Sequence, residues 1–174
     1  MMGMSAPEWS TYLAEDAAVH GTPEQINADV VDLMLAAYAR ELPLLPGAVE
    51  VVRRLAAEFP LALASSSNRA IFEEVLSLAG LADAFQATVS SEEVPRGKPA
   101  PDVYLEAARR LGIAPERCAA VEDSHSGIRS AHAAGMRVIA IPNASYPPDA
   151  AALALADVVL DSLDQLTPGR VEGA

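Results

Sequence analysis

The chain has 174 residues, 51% hydrophobic and 21% charged, with 12 Lys plus Arg against 24 Asp plus Glu and a formal net charge of -12. A domain of this length buries about 70% of its unfolded surface, so it needs neither metal nor disulfide to hold a core. Cys118 is the only cysteine, which excludes a disulfide framework and a cysteine-based zinc site and fits a reducing cytosol. The acidic balance argues against nucleic acid and against membrane surfaces as partners, since both need clustered positive charge.

Met1 to Pro7 lacks the basic flank and apolar stretch of a secretory signal, and no apolar run is long enough to span a bilayer. The expected location is the cytoplasm. Two helices are predicted at the front. Ser5 with Glu8 three residues later is a capping-box pattern, and Trp9, Tyr12, Leu13 and Val19 follow as an apolar stripe. Thr22, Pro23 and Gln25 repeat the signal, and Ile26, Val30, Leu33, Met34, Ala37 and Tyr38 keep helical spacing to about Leu42. Residues 1–43 therefore read as a helical hairpin.

From residue 44 helix and strand alternate. Expected in order are a helix over Ala48–Phe59, strand Leu61–Ala64, a helix over Arg69–Ala79 closed by Gly80, and a strand near Ala87–Val89. A helix over Asp102–Leu111 closed by Gly112, strand Cys118–Val121, and a helix over Ile128–Ala134 closed by Gly135 follow. Strand Val138–Ile141, a short helix after Asp149 and strand Val158–Leu160 complete the pattern, with Pro168–Ala174 expected to fray. Short, continuously apolar strands between helices indicate a parallel sheet covered on both faces, a doubly wound, Rossmann-like α/β core over residues 44–174.

In such sheets ligands bind beyond the carboxyl ends of the strands. There stand Ser65, Ser66, Ser67 and Asn68, which resemble an anion-holding helix entry or an ordinary cap. Lys98 follows Gly97 and precedes Pro99, Ala100 and Pro101. It is the only lysine beside eleven arginines, either an aimed point charge or a solvated loop residue. Glu122 and Asp123 are adjacent carboxylates directly after a buried strand, whose desolvation and repulsion call for a lysine or a hard divalent cation such as magnesium. The plainer reading is an exposed turn with Asp123 as a cap. His125 and His132 lack a third ligand and are left out.

The ordered set Ser65 in LALASSSN, Lys98 in RGKPAPDVY and Glu122 with Asp123 in VEDSHSGI resembles motifs two to four of the haloacid dehalogenase-like phosphohydrolases. It is most similar to the branch of β-phosphoglucomutase and the sugar-phosphate phosphatases with a helical cap. The resemblance implies a magnesium-dependent phosphatase for a small phosphorylated metabolite. Ser65 would hydrogen-bond the transferring phosphoryl group, Lys98 would neutralise it, and Asp123 with Glu122 would hold Mg2+. Ser66, Ser67 and Asn68 would form the phosphate and substrate side. The hairpin would be an incomplete cap, with Gly3, Met4 and Ser5 facing the site.

The family opens with a strand carrying Asp-x-Asp, nucleophile then general acid/base, and no two aspartates here have that spacing. The resemblance implies that roughly forty residues of the family pattern would come before the stretch that resembles the cap. A start at an internal methionine is the favoured expectation, over a true truncation or a strand supplied by a partner; as it stands the chain is expected to be inactive. Phosphoryl transfer of the mutase type and a noncatalytic phosphate-binding module are the alternatives. A phospho-acceptor receiver domain has its acidic residues before the hydroxyl and the lysine, the reverse of the order here.

Overall fold

The structure, a computed structural model, describes residues 4–173. Helices α1 (Ala6–Glu15) and α2 (Pro23–Tyr38) form the front hairpin. At the head of α1 the Glu8 carboxylate accepts from Ser5 N–H and from Ser5 Oγ, both at 2.7 Å. At the head of α2 the exchange is reciprocal: Gln25 N–H donates to Thr22 Oγ1 at 3.3 Å and Thr22 N–H to Gln25 Oε1 at 3.0 Å. Both helices end earlier than their apolar stripes do, at Glu15 and Tyr38 rather than near Val19 and Leu42.

The rest alternates strand and helix. The helices are α3 (Ala48–Ala56), α4 (Arg69–Leu78), α5 (Asp102–Leu111), α6 (His125–Ala133), α7 (Ala150–Leu153) and α8 (Pro168–Glu172). The strands are β1 (Ala62–Ser65), β2 (Ala87–Ser90), β3 (Ala119–Glu122), β4 (Arg137–Ala140) and β5 (Val158–Val159). Every ladder is parallel, as short apolar strands joined by helical crossovers require. Gly112 and Gly135, at φ 69° and 75°, take the left-handed turn that ends α5 and follows α6. One expectation fails at the tail: residues 168–172 form a short helix instead of fraying, and Val171 packs beneath it against Val51, Leu55, Ile139, Leu160 and Leu166.

The alternation of β4 shows both faces covered. Val138 and Ala140 point into a core with Val89, Val103, Ala107, Ala108, Ile128 and Ala131, while Ile139 points the other way, onto α3 and the tail. This is the doubly wound arrangement.

The sheet is not continuous. Among the described residues β1 pairs with β2, and β4 pairs with β3 on one side and β5 on the other, but no ladder joins β1 to β3. Between them runs a cleft of about 680 Å³, apolar along Leu55, Phe59, Leu63, Ala120 and Met136 and polar at the strand ends, where Ser65, Lys98, Glu122 and Asp123 line it. The carbonyl of Leu61 turns toward the β2 side and those of Cys118 and Glu122 toward β4. By alternation the main-chain groups of Ala62, Ala64, Ala119 and Val121 turn into the cleft. Val121, mid-strand, is 41% exposed in consequence.

Candidate active site

The carboxyl ends of β1 and β3 and the loop before α5 meet at one edge. Lys98 belongs to that loop, joined to Pro99 by a cis peptide bond. The loop is held from below by Ser130 of α6, whose Oγ donates to Ala100 O at 2.6 Å. Lys98 is buried, and its Nζ donates to Glu122 Oε1 at 2.5 Å and to Ala64 O, the residue before Ser65, at 3.1 Å.

Glu122 ends β3 and is buried beside it. Tyr104, in the first turn of α5, donates its hydroxyl to Glu122 Oε1 at 2.6 Å. The other oxygen, Oε2, accepts from Asp123 N–H at 3.1 Å and Ser124 Oγ at 3.2 Å. Burial pushes the Glu122 carboxyl up, but the Lys98 charge and hydrogen bond, helped by Tyr104 and the Asp123 amide, outweigh it and hold the group below its usual range. Burial first, then the Glu122 charge, push the Tyr104 phenol well above its usual range, so it remains a donor. Asp123 is exposed at the rim, next to the buried pair.

On the β1 side Ser65 Oγ accepts from Ser67 N–H at 3.0 Å, and Ser65 O accepts from Ser91 Oγ at 3.0 Å. Ser66 is half-buried and Ser67 exposed. Asn68 stands at the cap position of α4 but its side chain does not cap. Its amide nitrogen donates to Glu92 Oε1 at 2.8 Å and to Asn27 Oδ1 of α2 at 3.1 Å. The capping acceptor is Glu92 Oε2, which takes the Arg69 amide at 2.8 Å, a donor an anion would otherwise use. Lys98, Glu122 and Ser65 thus share one edge with Asp123, while Asn68 is engaged between hairpin and core. Of the front residues expected to face the site, Gly3 lies outside the described residues, and Ser5 packs at the Lys98 loop, where a Cβ on Gly97 would stand 3.0 Å from that of Ser5.

Tyr104 and Gly127 lie within the stretches RGKPAPDVY and VEDSHSGI, and Glu92 follows β2, but no sequence pattern assigns any of them a role. Tyr104 reads as one more apolar position on the buried face of α5, and only its hydroxyl, six residues after Lys98, hints at more. A Cβ on Gly127 would fall 1.9 Å from Glu122 Cδ. The Glu122 carboxylate therefore occupies the space that any other residue at 127 would need.

The model of the haloacid dehalogenase-like hydrolases matches residues 2–135 of this chain. The chain belongs to the haloacid dehalogenase-like hydrolases. It is 43% identical to hexitol phosphatase B of Escherichia coli over 145 residues, 83% of this chain and 65% of that protein. It is 37% identical over 165 residues to the bifunctional riboflavin kinase/FMN phosphatase of Arabidopsis thaliana, 94% of this chain and 43% of that one. The crystal structure of CbbY from Rhodobacter sphaeroides in complex with phosphate superposes at TM-score 0.78 with 29% identity, covering 85% of this chain and 67% of that one. The chain spans about 43% to 65% of the length of these two curated relatives. No helix among the described residues is long and apolar enough to cross a membrane.

Magnesium, which the family pattern implies, meets oxygen donors of the right kind here, since Asp123 offers a carboxylate at the rim. Among the described residues no group of three or more His, Cys, Asp or Glu comes together.

Proposed function

We propose that the chain carries the phosphate-handling half of a magnesium-dependent phosphatase acting on a small phosphorylated metabolite of the sugar-phosphate kind, in the cytoplasm. Residues 44–174 would be the core and residues 1–43 part of a cap. The carrying observation is the buried Lys98 ammonium, held at 2.5 Å from Glu122 and 3.1 Å from Ala64 O where β1 and β3 end. A phosphate ester approaching a chain of net charge -12 needs such a local positive focus. The hexitol phosphatase and the phosphate-bound CbbY structure support the substrate class.

In this reading Ser65 hydrogen-bonds a phosphoryl oxygen, with Ser66 and Ser67 beside it. Lys98 offsets the charge of the phosphoryl group, and Asp123 would hold the cation. Magnesium, when bound, would neutralise phosphoryl oxygen charge. The nucleophile is expected from an Asp-x-Asp strand seated between β1 and β3, where the apolar cleft and the inward-turned main-chain groups suit a parallel strand.

The test compares this 174-residue chain with the same chain joined at its front to an apolar strand ending in Asp-x-Asp. Phosphate release from a panel of sugar phosphates with magnesium is expected from the extended protein alone. Equal activity of the two would overturn the account of the nucleophile, and inactivity of both would overturn the phosphatase reading.

A further inference from the structure

Strand β2 is an edge strand that carries no protection of its own. It pairs with β1 on one side, and among the described residues no strand pairs with its other side. From Ala84 to Ser91 the sequence has no charged residue, no proline and no glycine, a composition that invites a further strand to add. The charges come from elsewhere. Arg69, in the first turn of α4, donates from Nη2 to Thr88 O at 3.2 Å and from Nη1 to Thr88 Oγ1 at 3.1 Å. Arg110, in the last turn of α5, donates from Nη1 to the same carbonyl at 2.6 Å. Two residues on, and so on the same edge of the strand, Ser90 N–H donates to Glu93 Oε1 at 2.8 Å.

The two arginines arrive from opposite faces of the sheet. Phe72 and Leu76 of α4 pack with Leu63, while Val103 and Ala107 of α5 pack with Val89, Ala62 and Ala64. The guanidiniums therefore reach round the edge from both sides and meet at one carbonyl. Glu93 joins them there, Oε1 taking Arg69 and Oε2 taking Arg110 at 2.8 Å. Glu73 holds the far side of Arg69 at 2.7 Å, and Glu106 holds Arg110 Nε at 2.7 Å.

We propose that this clasp closes the outer edge of β2 against a second copy of this chain, whose own β2 is the strand the edge would otherwise take. The excluded pairing is isologous and antiparallel, since two equal edges related by a two-fold axis offer one another the same groups. An incoming strand needs the Thr88 carbonyl as acceptor and the Ser90 amide as donor. Both are held by charged side chains that also pair among themselves, so admitting the strand breaks several charge-assisted bonds at once. The inference concerns assembly and stands apart from the phosphatase reading.

The test joins Arg69→Met to Arg110→Met, which keeps two long apolar stems and withdraws both guanidiniums from Thr88. Removing two positive charges takes the net charge from -12 to -14, so relief of repulsion between copies cannot drive association in this variant. Glu73→Gln and Glu106→Gln serve as controls: each removes a partner of one arginine and leaves Thr88 O capped. Association is followed by sedimentation velocity over a hundredfold range of concentration, and amide exchange of the peptide covering residues 84–91 is read by mass spectrometry at both ends of that range.

The double variant is expected to gain an association step that the wild type lacks, with exchange over residues 84–91 slowed at least tenfold at the high concentration. Wild type and both controls are expected to exchange there at a rate independent of concentration. Adding Thr88→Lys to the double variant places a charge on the strand itself and is expected to restore wild-type behaviour. Unchanged association of the double variant overturns the proposal, as does association without concentration-dependent protection of residues 84–91. Concentration-dependent protection of this peptide in the wild type, or an equal effect in the controls, also overturns it. Should the double variant fail to fold, Arg110→Met alone, which removes the shorter bond to Thr88, decides by the same two readouts.

Discussion

Glu122 and Gly127 exclude one another: the carboxyl carbon of the first lies 1.9 Å from where a Cβ on the second would be. The two are five residues apart, one ending β3 and the other in the first turn of α6, where Ser124 Oγ accepts from Gly127 N–H at 3.1 Å. The helix accepts a poor helix former at this position because the acid beside it needs the room. Gly127→Ala is expected to push Glu122 off Lys98 despite the gain in helix propensity. Breaking a buried pair costs about 3–5 kcal/mol, which urea denaturation followed by circular dichroism would measure; a neutral or stabilising effect would refute the account.

Lys98→Met leaves Glu122 buried without its counter-charge. The Lys98 charge and hydrogen bond are what offset burial at this carboxyl, so in the variant burial prevails and the folded carboxyl titrates above its unfolded value. A group raised in this way favours the fold only while protonated. The variant is therefore expected to be weakest at neutral pH, by about 3–5 kcal/mol, and to recover toward the wild type as pH falls from neutral to the unfolded glutamate value near about 4.3. A constant gap between the two at all pH values would contradict this.

Glu93 carries the opposite sign. Burial opposes its ionisation, but the Ser90 amide at 2.8 Å, Arg110 at 2.8 Å and Arg69 together hold its carboxyl at about 2. In the unfolded chain a glutamate titrates near about 4.3. The stabilisation is thus fully present above that value and lost as pH falls through it toward 2. Glu93→Gln is expected to lower stability at pH 7 and to flatten the fall of the urea midpoint between about pH 5 and pH 2. An unchanged acid limb would show that the Arg69 and Arg110 contacts contribute nothing.

Ser130 is fully buried, and its hydroxyl is the tie between α6 and the loop of Lys98. Ser130→Ala leaves the Ala100 carbonyl without this donor. A loss of about 1–3 kcal/mol is expected, with faster acetylation of Lys98 than in the wild type. Loss of stability without a change at Lys98 would mean that the loop is held by other contacts.

What the sequence made legible was local. The reach-back of Glu8 to Ser5, the exchange of Thr22 with Gln25 and the ends of α5 depend on residues a few positions apart, and the strands between helices follow from continuous apolar runs. Helix α6 begins three residues ahead of its apolar pattern, because His125, Ser126 and Gly127 read as loop until Glu122 is seen lying against Gly127. The α4 cap comes from Glu92, which no local pattern could supply. Tyr104 was hidden for the same reason: its role comes from partners 6 and 18 residues distant in the chain. Which strands pair is likewise a property of packing, so periodicity indicated a parallel sheet but not its division between β1 and β3.

That division has a mechanical outcome. In a continuous parallel sheet the central strands are the last to exchange their amide hydrogens, being tied on both edges. Here the order is inverted: the inward-turned amides of Ala64 and Val121 are expected to exchange with solvent well before those of the buried Val138 and Ile139 in β4. The molecule would loosen from its middle outward, as two shells that part along a seam.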